Sequence, residues 1–426
     1  MKIQNKAGLI TCMIGSILLS ACGSGSKSSA VTNALSITTL YSFGISSTDT
    51  KSPNSSLIKG SDGNFYGVSY KGGANGMGTI FKTTPTGSET VLYSFGGTPN
   101  DGTQPTGIVQ GSDGNLYGTT ATGGANGTTS CANATSTCYP GDGTAFMVNL
   151  AGIETVLYSF GSSSSDGINP NGGLIQASDG NLYGITRGGG ANGNGSVFKI
   201  STVGSEVVLY SFGTNGSTDS KTPNAGLIQS SSGNLYGTTI AGGLYSSGTV
   251  FQITTAGVES VLYSFGVNVY DGTSPYANII QGSDGNFYGT TLNGGASGAG
   301  TVFKLTPAGS ESILYSFGRS TTDGTLPYSP VVQGSDGNFY GTTYSGGANG
   351  TLLCLGTDTS CYPGYGTLFM ISPSGSETVL YSFGTGDSSS AGVYPVGGLL
   401  QVNGTFYGTA TGGGTYSSGT IYSFVN

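Results

Sequence analysis

From residue 38 onward the chain alternates short β-prone runs with turn signals, and the same four runs return in the same order. The unit spanning residues 107–160 shows the pattern. An apolar run from Gly107 to Gln110 is followed by a Ser112-Asp113-Gly114 turn, a second run from Asn115 to Thr120 and a glycine-rich loop. A third run from Gly143 to Asn149, a turn at Ala151-Gly152 and a fourth run from Thr155 to Phe160 complete it. Asp-Gly between two apolar runs is a hairpin signal, because the turn needs positive φ and glycine supplies it without steric cost. In Val91-Leu92-Tyr93-Ser94-Phe95 one face carries Val, Tyr and Phe and the other Leu and Ser, as in a strand covered on both faces by neighbouring sheets. The glycine after tyrosine in the second run, as at Gly118 and Gly289, is expected to leave room for an aromatic ring from the adjacent sheet. No stretch beyond the N-terminal tail spaces its apolar residues as a helix does, so the chain is expected to be all-β.

The fourth run carries Leu-Tyr-Ser-Phe, which begins at Leu40, Leu92, Leu157, Leu209, Leu262, Leu314 and Leu380. A period of about fifty residues means one supersecondary unit copied in tandem. The series opens on a lone fourth run at residues 40–43 and finishes on a third run, Gly419 to Phe424, with no fourth run after it. An open stack gains nothing from this offset, whereas a ring does, since the first strand completes the last sheet and removes its exposed edge. The expected fold is a seven-bladed β-propeller of four-stranded blades, closed by the N-terminal strand pairing with the last blade. A β-solenoid is the alternative, although its repeats are usually shorter and less rich in hairpins.

Ahead of the repeats, Lys2 and Lys6 precede an apolar run from Ala7 to Leu18 that is short for a membrane span, as in a secretory signal. Its Leu19-Ser20-Ala21-Cys22 ending resembles the bacterial lipobox, which implies that Cys22 becomes the lipidated first residue after cleavage. A plain cleaved signal peptide is the alternative. The expected organisation is a signal peptide over 1–21, lipidated Cys22 and a Ser/Gly-rich tether over 22–37, and the propeller over 38–426. The expected location is the bacterial cell envelope, at the outer membrane or cell surface, with the membrane contacted through the lipid. Of twelve basic residues Lys2 and Lys6 leave with the signal, so ten face twenty acidic ones. Such a balance argues against nucleic acid or an anionic membrane surface as partner.

Cys131 and Cys138, and again Cys354 and Cys361, share a C-x6-C spacing followed by Tyr-Pro-Gly-x-Gly-Thr, which in an exported chain reads as two local disulfides. A metal site would need further ligands, and the chain has no histidine. No cofactor is expected, and calcium is left open without a residue set that selects it.

The signature Gly-Leu-Ile-Gln-x-Ser-Asp-Gly-Asn-Leu-Tyr-Gly-Thr-Thr, then Gly-Gly-x-x-Gly-x-Gly-Thr-Val-Phe-Lys and Leu-Tyr-Ser-Phe-Gly, resembles the choice-of-anchor surface proteins that carry the GloVer-type repeat. The resemblance covers residues 38–426 and implies an exported, anchored protein without implying an activity.

Links between blades and the Gly-Gly-x-x-Gly loops are expected on one face of the ring. Each link carries an aspartate: Asp49, Asp101, Asp166, Asp219, Asp271, Asp323 and, less regularly, Asp387. A ring of carboxylates, with Asp101, Asp166, Asp271 and Asp323 its candidate ligand-binding members, could take cations or sugar hydroxyls. The alternative is that each aspartate caps its own turn. The two cysteine loops depart from the repeat, so they and nearby Tyr139, Tyr362 and Tyr365 are further binding candidates, unless the loops are a duplicated decoration. Without histidine there is no His-assisted nucleophile, and no phosphate-binding loop precedes a helix. The expected role is a monomeric binding or scaffold module for a polysaccharide or surface protein. A polysaccharide-processing enzyme working through Asp and Glu is the alternative.

Overall fold

A computed structural model of the chain describes residues 35–127, 141–349, 352–354, 361–384 and 391–426. Cys22 and the segment before it, Cys131, Cys138, Tyr139 and Asp387 lie outside the described residues. The described residues form strands and turns without a helix. They build seven antiparallel blades, each with its first strand innermost and its fourth outermost. Blade 2 is made of Gly102–Gln110, Leu116–Gly123, Thr144–Val148 and Glu154–Ser159, paired in that order.

The ring closes as the displaced fourth run requires. Thr38–Ser42 pairs antiparallel with Thr420–Val425, which pairs with Thr405–Gly412, so blade 7 is made from both ends of the chain. Leu35 and Ile37 also pack against the cluster shared by blades 6 and 7. The tether expected to run to residue 37 therefore joins the folded body at Leu35, because its apolar residues find a core to cover.

The leucine of each Leu-Tyr-Ser-Phe is a bulge. In blade 2 Val156 faces Phe146 and Tyr158 faces Ala145, which leaves Leu157 unpaired; the same shift recurs in the other outer strands. A bulge bends its strand and increases the local twist, as the steep outer edge of a blade requires. The phenylalanine that ends the tetrapeptide is fully buried against the third strand of the next blade. Phe95 meets Phe146 and Phe212 meets Phe251 edge to face, and six such pairs have centroids 4.9 to 5.1 Å apart. Pairs of this geometry contribute about 0.5–1.5 kcal/mol beyond the area they bury. At the seventh interface Phe383 meets Tyr422, with centroids 5.3 Å apart.

The expectation for the glycine after tyrosine needs correction. A Cβ on Gly289 would lie 2.7 Å from Cζ of Phe303, and one on Gly118 would lie 2.5 Å from Cζ of Phe146. Each ring belongs to the same blade, directly across the sheet from the glycine, and not to its neighbour.

Two further bonds join successive blades. Gln110 Oε1 accepts from Ser61 N at 2.8 Å, and the equivalent glutamines do the same as far as Gln401, which accepts from Ser335 N. On the opposite face the residue before each repeat proline adopts positive φ, from Ser52 at 53° to Tyr394 at 59°. Left-handed backbone is disfavoured for non-glycine residues. Here it aims each N–H at the carbonyl just before the glycine that opens the preceding blade's third strand, as in Gln104 N to Met77 O at 2.9 Å.

Candidate functional site

The first strands surround a central channel with a cavity of about 980 Å³. Around its mouth, the residue after each repeat proline is Asn54, Thr106, Asn171, Asn224, Tyr276, Tyr328 and Val396, in ring order. The amides link blade to blade. Asn171 Nδ2 donates to Asn224 Oδ1 at 3.2 Å, and Asn224 Nδ2 donates to Tyr276 O at 3.0 Å. Deeper in, glycines let the first strands close up: a Cβ on Gly107 would stand 3.2 Å from Cα of Gly173 in the next blade.

Tyr70, Tyr276, Tyr328 and Tyr344 also line the cavity. Tyr276 and Tyr328 meet edge to face at 5.0 Å, Tyr328 and Tyr344 at 5.1 Å, and Tyr344 stacks on Tyr394 at 4.9 Å with 26° between the planes. Tyr365 closes the arc against Tyr394 at 5.6 Å. All five rings are half-buried. Burial raises Tyr328, Tyr344 and Tyr394 above the ordinary phenol range, and neighbouring phenols add to the effect on Tyr328 and Tyr394. They are neutral hydroxyls at physiological pH, able both to donate and to accept.

Tyr365, expected as a binding residue, touches Tyr394 but, like Tyr394, is not part of the channel lining; it packs against the core cluster shared by blades 6 and 7. Tyr362 lies on the strand Cys361–Pro363, which pairs with Leu352–Cys354 and sets Cys354 directly opposite Cys361. Tyr276, Tyr328, Tyr344 and Tyr394 were not anticipated from the sequence. The signal for Tyr276 and Tyr328 is a column-by-column departure: four blades carry Asn or Thr after the proline, and then two carry tyrosine.

The link aspartates are occupied elsewhere. Asp271 is 3% exposed; its Oδ2 accepts from Tyr263 Oη at 3.0 Å, Gly266 N at 2.7 Å and Val267 N at 3.0 Å, and its Oδ1 accepts from Gly272 N at 2.7 Å. Asp166 takes Tyr158 Oη, Ser162 N and Gly167 N, and Asp323 takes Tyr315 Oη, Arg319 N and Gly324 N. Asp101 takes Tyr93 Oη and Gly97 N, each at 3.0 Å. The geometry therefore moves these four aspartates from the ligand face to the turn-capping alternative. It also explains the tyrosine of Leu-Tyr-Ser-Phe, whose hydroxyl holds the link that follows it. The first glutamate of the outer strand approaches the same spot. Glu89, Glu154, Glu206, Glu259, Glu311 and Glu377 are pushed up to about 7, first by burial and then by repulsion from the aspartate of the link entering their blade.

Among the described residues no Asp or Glu lines the channel, and its charged side chains are Lys71 and Arg187. No group of three or more His, Cys, Asp or Glu among the described residues is arranged to hold a metal ion.

Fold and channel together define a seven-bladed β-propeller with a large polar-aromatic axial cavity. The model of the Gloeobacter/Verrucomicrobia repeat matches residues 27–137, 127–281 and 265–426, so the chain belongs to that repeat family. No characterised protein matches by sequence. Among solved structures, puromycin hydrolase superposes with a TM-score of 0.51 at 11% identity, over 84% of this chain and 50% of that one. The chain thus spans half the length of that enzyme, and the likeness is one of fold. A polysaccharide lyase aligns at a TM-score of 0.47 and 10% identity over 91% of this chain and 92% of that one. Trypanosoma rangeli sialidase aligns at 0.43 and 12%, over 80% and 56%.

Proposed function

We propose that the protein is an exported binding module that holds a polysaccharide segment in its axial channel. The observation that carries this reading is the set of tyrosines Tyr276, Tyr328 and Tyr344 in mutual contact on the channel wall, beside the amides of Asn54, Asn171 and Asn224. Sugar rings offer apolar faces and peripheral hydroxyls. Half-buried tyrosines supply flat apolar area with a polar tip, and asparagine amides supply paired donors and acceptors. A glycosidase working through two carboxylates would need them in the channel, where among the described residues no Asp or Glu lines the wall.

The test is isothermal titration of the full-length chain with a panel of oligosaccharides. Tyr328→Ala and Tyr344→Ala should each weaken binding about tenfold or more. Saturable binding unchanged in both variants would overturn the channel as the site. The address is part of the proposal: Cys22 carries the lipid and the propeller stands at the cell surface. Labelled fatty acid should enter the wild-type chain in bacteria and be absent from Cys22→Ser.

A further inference from the structure

We infer that the polysaccharide taken by the channel is acidic, with carboxylate or sulfate groups paired to Lys71 and Arg187. The inference rests on the channel as the carbohydrate site and adds the ligand's charge. The chain as a whole has twenty acidic residues against twelve basic, yet the side chains that give its channel charge are both cations. Three basic residues elsewhere have partners: Lys82 pairs with Asp62 at 2.9 Å, Lys304 with Asp284 at 3.0 Å, and Arg319 lies over the ring of Tyr315. Those lysine pairs sit on the hairpins of the opposite face. Lys71 and Arg187 are exposed and form no ion pair among the described residues.

The placement works against the fold's own stability. Lys71 stands directly across the sheet from Lys51 in blade 1, and like charges in that position repel. An anion bound at the mouth offsets that repulsion. The aspartates of the same face do not neutralise it by contact, because their carboxylates are buried within the links. A cleft of one sign also focuses its field on an approaching polyanion. Arg187 brings a planar fork that fits carboxylate or sulfate oxygens two at a time, and Lys71 a compact point charge. Amides line the mouth from blade 1 to blade 4, Tyr70 lines it next to Lys71 in blade 1, and Tyr276, Tyr328 and Tyr344 line it in blades 5 and 6. A chain crossing the mouth therefore meets both charges and ring faces.

The experiment compares polygalacturonate with its carboxyl-reduced form, and dextran sulfate with dextran, on the full-length chain by affinity electrophoresis and titration. The probes are offered to wild type, Lys71→Gln/Arg187→Gln and Tyr328→Ala. The expected result is binding of one acidic polymer over its neutral counterpart, falling with salt, about tenfold or more weaker in the double variant and also weakened in Tyr328→Ala. Which acidic polymer binds distinguishes carboxylate from sulfate. Equal binding of acidic and neutral polymers, lost in Tyr328→Ala and kept in the double variant, overturns the acidic ligand and leaves the channel standing. Binding of acidic polymers unchanged in Tyr328→Ala, or binding of none, overturns both.

Discussion

Gly300 of blade 5 and Pro327 of blade 6 touch so closely that a Cβ on the glycine would lie 2.6 Å from the proline Cδ. The same glycine has φ +100°, and its Cβ would also meet Thr291 O at 2.5 Å. Gly300→Ala should therefore destabilise the protein by about 2 kcal/mol or more, through left-handed strain and overpacking together. Gly285, at φ +80° with open space around it, isolates the strain alone, so Gly285→Ala should cost about 1 kcal/mol. Denaturant midpoints at unchanged slope measure both, and equal effects would refute the blade contact.

Tyr422 occupies the position held by phenylalanine in the other blades, and its fully buried hydroxyl has no hydrogen-bond partner among the described residues. Burial accordingly pushes its phenol well above the ordinary range. Tyr422→Phe keeps the ring against Phe383 and removes an orphaned polar atom. Stability should rise by about 1 kcal/mol, read from the same unfolding curves.

Acid should strengthen the fold before it weakens it. The six glutamates that open the outer strands titrate near 7 when folded, against 4.5 for a free side chain. The folded state then holds protons that the unfolded chain has released. Their stabilising effect is complete below about 4.5 and is lost as pH rises through about 7. The hairpin aspartates act oppositely. Burial raises Asp62 and Asp284, but hydrogen bonds from Asn64, Lys82 and Tyr66, and from Asn286, Lys304 and Tyr288, outweigh it and hold both well below the usual carboxylate range. Their contribution fades only in stronger acid. Melting temperature should peak near about pH 5 and fall toward pH 8, and Glu311→Gln should flatten that fall.

The strands Leu352–Cys354 and Cys361–Pro363 pair with Cys354 opposite Cys361, and the disulfide expected from the C-x6-C spacing can be tested there. Alkylation of the oxidised chain should leave both thiols unmodified until reductant is added, and Cys354→Ser should cost about 2 to 3 kcal/mol. Free alkylation of both without reductant would exclude the bond.

Blade count, hairpins and closure were legible because each depends on a local signal: Asp-Gly turns, period-two runs and a fourth run displaced to the front. The fate of Asp271 was not, because its burial depends on Tyr263, eight residues earlier on an outer strand whose bulge turns the ring toward the link. The filler of Gly289 was misplaced for a related reason: alternation gives a residue's face without saying whether the ring covering it comes from across the strand or across the blade. The channel was least legible. Tyr276, Tyr328, Tyr344 and Tyr394 come from separate segments of three blades, and only the closed ring sets them side by side.

The pairing of Thr38–Ser42 with Thr420–Val425 joins positions separated by almost the whole chain. Loop-closure entropy makes contacts of such separation slow to form. Blades 1 to 6 can assemble in order as neighbours meet, but blade 7 has no third and fourth strand to unite until the last residues arrive. The nascent chain would thus wait as an unfinished arc with two bare interfaces. Once the clasp has formed, losing any one blade breaks contacts on both its sides, so the ring has no loose end from which to unravel.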